Sequence, residues 1–412
     1  MIQLQQRFDI AIIGGGMVGA SLALLLAQQN PAWTIALLVA QVFDDTNATA
    51  YQSSFDARST AISYGSVEIL RTLGVWEKLA EHATAITNVH VSDAGHFMGG
   101  MIAASSYDLE AVGYVVENSW IGRALLLQLQ TQQNIYYKTP VRVEKLIPLR
   151  QGVRLLAHTS EGATEFTCKL AVIADGNASL LRKSLAIDTT EKNYGQTALI
   201  ANVAYTEPHK GVAYERFTAQ GPLALLPLGE APSAKESALV LTLPNDQANE
   251  IAALNDRDFL QHLQQRFGHR LGKFLRVSKR HAYPLQLITA KEQIRSHIAL
   301  VGNAAHFLHP VAGQGFNLSL RDCTCLVDAL IQGDSVGKNL GELSMLQDYI
   351  QRQQFDQTLT IEFSDKLVRL FSSSSLPLIA LRHLGFMGLD AMPIVKSQFA
   401  AQTMGTAGVK FL

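Results

Sequence analysis

From Ile10 to Phe43 no charged residue interrupts the chain. Phe8 to Ile13 is a short apolar run of β type, and the cluster Gly14 to Gly19 is a turn signal. Met17 to Gln29 reads as a helix stopped at Asn30-Pro31, and Thr34 to Val39 as a second apolar strand. Two apolar strands joined through a helix make a βαβ unit, which requires parallel pairing. The eighteen mostly apolar residues Ile10 to Ala27 also raise the question of a membrane span or signal peptide. Gly14, Gly15, Gly16 and Gly19 inside the run and Asp9 just before it argue against both. A buried strand, a glycine turn and a buried helix account for the same residues.

Further along, the spacing predicts a helix over 58–73, a strand over 112–116 and a helix over 121–132. Alternation through 141–167 predicts antiparallel strands, and 170–174 a separate buried strand ending at Asp175-Gly176. Several strands are expected within 195–245, a helix over 256–270 and a buried strand over 298–301 before Gly302. A long helix follows from Gly315 through Leu330, and from Glu342 the chain reads as helical, broken at Pro377 and Pro393. The pattern opens a nucleotide-type parallel sheet, leaves it for other strands and returns near residue 300. It predicts an α/β fold whose first domain is discontinuous, with a β-rich domain inserted.

Composition narrows the partners. Of 412 residues, 17% are charged, against roughly 25% in an average soluble domain. Lys plus Arg number 34 and Asp plus Glu 35, hydrophobic residues make up 48%, and mean hydropathy is +0.10. A disordered chain needs low hydrophobicity and high net charge, and a nucleic-acid binder a basic excess; neither is present. Cys168, Cys323 and Cys325 lack the spacing of a zinc site and read as free thiols in a reducing cytoplasm.

Gly14-Gly15-Gly16-Met17-Val18-Gly19 fits Gly-x-Gly-x-x-Gly between a strand and a helix. Gly14 permits the tight turn, Gly16 the approach of a pyrophosphate and Gly19 close packing of helix on strand. The helix N-terminus offers amides and partial positive charge to phosphates. The acidic residue expected about twenty positions on, to accept ribose hydroxyls, is absent: Val39 ends the second strand, with Gln41, Asp44 and Asp45 nearby. A second Gly-x-Gly-x-x-Gly is not present, and neither is a Ser-His-Asp or Cys-His signature.

Three later segments add to the glycine turn. They are Phe55 to Ser63 (Phe-Asp-Ala-Arg-Ser-Thr-Ala-Ile-Ser), Ala174-Asp175-Gly176-Asn177-Ala178-Ser179, and Gly302-Asn303-Ala304-Ala305-His306 with His309 to Leu318 (His-Pro-Val-Ala-Gly-Gln-Gly-Phe-Asn-Leu). Together they resemble the FAD-dependent aromatic hydroxylases built on the p-hydroxybenzoate hydroxylase fold, over essentially the whole chain. The third segment is similar to the flavin-contacting signature of the ubiquinone-biosynthesis hydroxylases. Ala83 to Asp93, Glu215-Arg216-Phe217-Thr218 with Gly221-Pro222-Leu223-Ala224, Gly302-Asn303 and Leu308-His309-Pro310 bring the resemblance nearest to the 2-polyprenyl-6-methoxyphenol hydroxylases.

The resemblance implies a Rossmann-like FAD-binding domain of glutathione-reductase type over 1–75, 105–185 and 285–335. It implies an antiparallel-sheet substrate domain over 76–104 and 186–284, and C-terminal helices over 336–412. Cofactor-binding roles fall on Gly14, Gly16, Gly19, Arg58, Arg123, Asp175, Asn303, Pro310, Gly313, Gly315 and Asn317. Arg58 would meet ribose or pyrophosphate oxygens, and Arg123, read as standing at a helix start, would act similarly. Asp175 would lie near the cofactor and the nicotinamide approach, and Asn303 would face the ribityl chain. Gly313 and Gly315 would admit a flat ring at a helix N-terminus, with Pro310 at the pocket edge. His306 and His309 invite a metal or acid–base reading; Pro310 and the lack of a third ligand leave no metal expected, and an acid–base role for His309 stays open.

By the same resemblance NAD(P)H binds transiently, reduces FAD and leaves; reduced flavin takes up O2 as a C4a-hydroperoxide, which hydroxylates a polyprenylated phenol. A sibling hydroxylase for another ring position is one alternative, and a flavin-poor scaffold subunit among other ubiquinone-biosynthesis proteins a second. The Trp-x-Trp pair of flavin halogenases is absent, since the Trp residues are Trp33, Trp76 and Trp120. From Lys366 to Leu412, Lys366, Arg369, Arg382, Lys396 and Lys410 outnumber the single acid Asp390 among apolar residues. Such a stretch suits contact with an anionic membrane surface, on the inner face, or packing on the protein's own core.

Overall fold

The computed structural model describes residues 6–41, 58–93, 99–218, 220–230, 232–308, 313–372 and 405. Five parallel strands form the centre of an eight-stranded sheet, in the order Ile298–Leu300, Gly162–Ile173, Gln6–Ile13, Ile35–Leu38 and Ile135–Lys138. Their apolar runs do not alternate because both faces are covered. Ile10 and Ile12 point into a core shared with the helix Met17–Gln29, while Ala11 and Ile13 point into a second core with Val153, Leu155 and Phe166. That helix is buried at every position from Gly19 to Ala27, between the helices Asn118–Leu129 and Gln314–Ser335. The strands and most of the helix in the uncharged N-terminal run are therefore interior, while Gln29, Pro31, Ala32, Ala40 and Gln41 at its turns are exposed, and among the described residues no helix is long and apolar enough to cross a membrane.

Asp9 is the exception inside this buried strand. Thr34 donates to its carboxylate from both the backbone N and Oγ1, each at 2.8 Å, and Lys169 Nζ lies 2.8 Å away. Burial alone would raise the Asp9 carboxyl, but these partners outweigh it and hold the carboxyl below its ordinary range.

Two expected elements differ in kind. Residues 58–73 are not one helix: Ser59–Ser63 is a strand antiparallel to Gly113–Glu117, and the helix Tyr64–Thr72 follows. Helical spacing of apolar residues continues through both, but pairing to a strand fifty residues away overrides it. Residues 170–174 are not a separate strand either. Gly162–Ile173 is one strand of twelve residues, antiparallel to Gly152–Thr159 in its first half and parallel to Gln6–Ile13.

The second, nine-stranded sheet is mainly antiparallel, with one parallel pair, Asn88–Asp93 beside Val212–Thr218. Leu223, Leu225, Leu239, Leu241 and Leu243 on one face pack under Phe259, Leu263 and Phe267 of the helix Asp256–Phe267. Ala213, Leu228 and Ala238 on the other face meet Ile86, Val115 and Ala61, which belong to the small sheet made by Ser59–Ser63, Thr84–Ile86 and Gly113–Glu117. The helix Leu343–Ser372 lies along Gln314–Ser335 and reaches the strands Val212–Thr218 and Gly221–Leu228. Arg321 grips its Asp356 at 2.6 Å, and Lys192 with Tyr194 holds its Asp365.

Candidate active site

Three turns leave the carboxyl ends of adjacent parallel strands, the place where open α/β sheets bind ligands. They begin at Gly14, Ala174 and Gly302. Gly14 has φ +118°, and a β-carbon there would lie 2.3 Å from the Ala174 carbonyl oxygen. Gly302 has φ +61°, and its β-carbon would press on Val18 of the first helix at 3.0 Å. Buried Arg182 ties the other two turns together, donating to the Ala304 carbonyl at 2.8 Å and the Asn177 carbonyl at 2.9 Å. The second and third segments are thus packed onto the glycine turn as one unit.

Within the glycine turn the residues differ in what requires them. A β-carbon on Gly19 would stand 2.0 Å from the Gly14 carbonyl oxygen, so this glycine serves the helix-to-turn contact. A β-carbon on Gly15 would stand 2.4 Å from Val39 Cγ2. Val39 is 4% exposed and fills the place where sequence reasoning sought an acid; Asp44 and Asp45 lie outside the described residues. Around Gly16 there is nothing within 4 Å of a β-carbon position, and its backbone is extended (φ −67°, ψ 177°). Gly16 precedes a helix with no side-chain cap and no acid in its first turn. The first amides of that helix therefore face an open, weakly positive surface.

A second helix N-terminus, that of Gln314–Ser335, is also without a side-chain cap or acid in its first turn. Gly313 adopts φ +61° with its β-carbon position 3.2 Å from Ala61 Cβ, and Gly315 faces open space. Gln314 is 1% exposed, and its Oε1 is buried with no partner among the described residues. Asn317, expected to bind cofactor, uses its amide inside the protein. Its Nδ2 donates to the carbonyls of Ala61 and Gly313, each at 2.9 Å, and its Oδ1 accepts from Ser63 N at 3.0 Å. It fastens the segment 59–63 to the helix start.

Arg58 lies with its guanidinium 4.8 Å from the Tyr283 ring centre, bridging to the nine-stranded sheet. Arg123 is exposed and sits in the second turn of Asn118–Leu129, 5.7 Å from the Trp120 ring. The expectation that it stands at a helix start is corrected: the helix begins three residues before 121, so the dipole argument does not apply to it. Asp175 and Asn303 stand exposed at their strand ends. Pro310 and His309 lie outside the described residues. His306 is buried, and its Nε2 pairs with Asp322 inside the protein, away from any open surface. Among the described residues no three His, Cys, Asp or Glu side chains gather as metal ligands would.

An open glycine, two helix starts without side-chain caps and a buried acceptor without a partner among the described residues suit a phosphate-bearing dinucleotide with a flat ring. The family model described as "FAD binding domain" matches residues 7–349. The chain belongs to this family. It is an FAD-dependent aromatic monooxygenase. It is 33% identical to the ubiquinone hydroxylase UbiL of Rhodospirillum rubrum, over 97% of this chain and 90% of that one. To the 3-demethoxyubiquinol 3-hydroxylase of Escherichia coli it is 29% identical, over 97% and 99%. The crystal structure of p-nitrophenol 4-monooxygenase PnpA from Pseudomonas putida superposes with a TM-score of 0.78 at 16% identity, over 99% of this chain and all of that one.

When bound, FAD supplies the redox and oxygen-transfer chemistry. In this monooxygenase the amides after Gly16 would hold the pyrophosphate, and the Gly313–Gly315 helix start and Gln314 would border the ring. Sequence reasoning missed Gln314 and Arg182. Gln314 carries no local signal between its two flanking glycines, and the five-residue helix Leu180–Ser184 carrying Arg182 has no pattern of its own.

Proposed function

We propose that the monooxygenase hydroxylates a polyprenylated phenol of ubiquinone biosynthesis, 2-polyprenyl-6-methoxyphenol, to the corresponding 1,4-benzoquinol, with NAD(P)H and O2 as co-substrates. The observation that carries this reading is identity over nearly the full chain with relatives named as ubiquinone hydroxylases. The fold adds a supporting one: the apolar face bearing Ala213, Leu228 and Ala238 turns toward the cofactor-side segment 59–63, which suits a weakly polar ring and tail. The protein's tasks are to orient the ring, exclude water and manage the phenol proton. A polyprenyl tail would also draw the enzyme to the inner face of a membrane, and the basic and apolar composition from Lys366 to Leu412 suits that contact, although residues after Ser372 other than 405 lie outside the described ones. Other ubiquinone-biosynthesis proteins would be its partners there.

Quinone profiling after loss of the gene tests the assignment. Accumulation of 2-polyprenyl-6-methoxyphenol supports it. Accumulation of a demethoxyubiquinol instead moves the enzyme to the ring position named for the Escherichia coli relative, and unchanged quinones refute both.

A further inference from the structure

Glu215 is a carboxylate with no partner among the described residues. No hydrogen bond or ion pair reaches it from any described residue, unlike Asp9, Asp322, Asp356 and Asp365, each of which is held. It stands in the strand Val212–Thr218, whose neighbours fix its direction. Tyr214, one residue before, packs toward the Phe259 and Phe267 core under the helices. Glu215 points to the other face, where the register sets Val91, Glu215, Ala224, Val240, Ile200 and His281 in one row.

The rows on either side of it meet the cofactor-side segments. The row through Ala213 packs with Ala61, whose Cβ borders Gly313. The row through Phe217, Pro222, Thr242 and Ala198 ends at Tyr283, under Arg58. Glu215 therefore looks into the space between the sheet and the Gly313–Gly315 helix start. It keeps some solvent contact while protein closes around it, as a group lining a pocket does. Burial pushes its carboxyl up to about 7. The segments meeting this face also carry Arg58, Tyr64, Tyr107, Glu110, His281 and Tyr283. The helix Leu343–Ser372 adds Glu362 paired with Lys366, and Asp365 held by Lys192. None of these charges contributes to the shift; desolvation is its one cause.

We propose that Glu215 is the general base that takes the phenol proton of the substrate. The phenol O–H bond breaks, the proton passes to a Glu215 carboxylate oxygen, and the electron pair stays on the phenolate oxygen, from which it enriches the ring carbon to be hydroxylated. As the product ring regains aromaticity, the C–H bond at the hydroxylated carbon breaks and its proton leaves to water, its electron pair restores the ring, and the carboxylic acid returns its proton to the former phenol oxygen, which leaves Glu215 ionised again. A carboxyl poised near neutrality has the strength for this and can still be ionised at working pH. The proposal rests on the phenolic substrate argued above.

The test uses FAD-loaded enzyme, NADPH and 2-prenyl-6-methoxyphenol carrying one isoprene unit, with quinol formation followed from pH 5.5 to 9.5. Glu215→Gln is expected to lower kcat by ~10²-fold at pH 7 with KM changed by less than about threefold. Wild-type kcat rises through pH 7 and levels off. The Gln variant loses that step and climbs tenfold per pH unit toward the ionisation of the phenol itself, near ~10 for an unperturbed phenol. Glu215→Asp keeps the step at a reduced rate. Wild-type kcat and an unchanged pH profile in Glu215→Gln overturn the proposal. So does a wild-type profile with no step near neutrality, a readout that stands even if the Gln variant fails to fold. Wild-type enzyme that makes no quinol from the probe overturns the substrate reading instead, which separates the two failures.

Discussion

Gly16→Asp separates what the fold needs from what the ligand needs. A β-carbon at Gly16 meets nothing within 4 Å, and the extended backbone there is open to any residue. The position is the N-cap of Met17–Gln29, which has no side-chain cap at present. Aspartate is among the preferred N-caps; it gains a few tenths of a kcal/mol over glycine from capping and roughly 0.3–1 kcal/mol from the helix dipole. The apoprotein should therefore be unharmed or more stable by about 0.5–1 kcal/mol, a rise in melting temperature of about 1–2 °C. With a pyrophosphate on the same amides, the new carboxylate is a like charge at roughly 4 Å. At an effective dielectric constant of about 20 that repulsion is about 4 kcal/mol, a loss of ~10³-fold in FAD affinity. Absorbance at 450 nm relative to 280 nm reads flavin retention in the purified variant. Titration of deflavinated protein gives Kd, and calorimetry of the two apoproteins gives the melting temperatures. Wild-type flavin content in the variant refutes the placement of the pyrophosphate. An apoprotein that melts several degrees lower refutes the claim that the fold leaves Gly16 unconstrained.

Gly19→Ala should behave in the opposite way, because its methyl collides with the Gly14 carbonyl: a loss of more than about 2 kcal/mol in denaturant unfolding of the apoprotein is expected. Burial pushes the thiols of Cys168 and Cys325 up to about 12 and that of Cys323 well above its ordinary value; iodoacetamide at pH 8 should leave all three unlabelled in the native protein and label all three in denaturant, as read by mass spectrometry. The Asp9 carboxyl is held below its ordinary range, so its contribution is present above about pH 4 and is lost as pH falls through its folded value. Asp9→Asn should lose about 1–3 kcal/mol at pH 7 and show a shallower acid-side decline between pH 5 and 2 in urea melts. Glu215 has the reverse sign: its raised carboxyl costs nothing at pH 4 and destabilises increasingly up to pH 7. Glu215→Gln should melt with the wild type at pH 4 and above it at pH 8, and equal melting at both values would show that the carboxyl is not desolvated.

The parallel sheet was legible because burial on both faces leaves a direct trace in sequence: Ile10 to Ile13 and Ile35 to Leu38 are apolar without alternation. The strand Ser59–Ser63 was not, since its identity depends on Gly113–Glu117 and on Asn317, residues brought to it by the rest of the fold. The same holds in the site. The Gly-x-Gly-x-x-Gly spacing is local and is complete within six consecutive residues, Gly14 to Gly19. The fastening of Asn177 and Ala304 by Arg182, the contact of Gly15 with Val39 and the exposure of Glu215 to the inner face all follow from registers between distant segments. Arg123 shows the cost of a small error in local reading, because a helix start displaced by three residues removes the dipole argument built on it.

The glycines finally give a criterion that does not depend on resemblance. Glycine in a helical or extended position that any residue could adopt costs roughly 0.5–1 kcal/mol against alanine. Gly14 and Gly19 offset that cost within the protein, one through its positive φ and both through backbone contacts that a β-carbon would break. Gly16 and Gly315 have no such return: neither has positive φ, and neither has an atom within 4 Å of its β-carbon position. Folding alone would favour a larger residue at both. What they keep clear is the surface in front of two uncapped helix N-termini, and a phosphate at the first and a flat ring at the second are the groups that need the backbone bare.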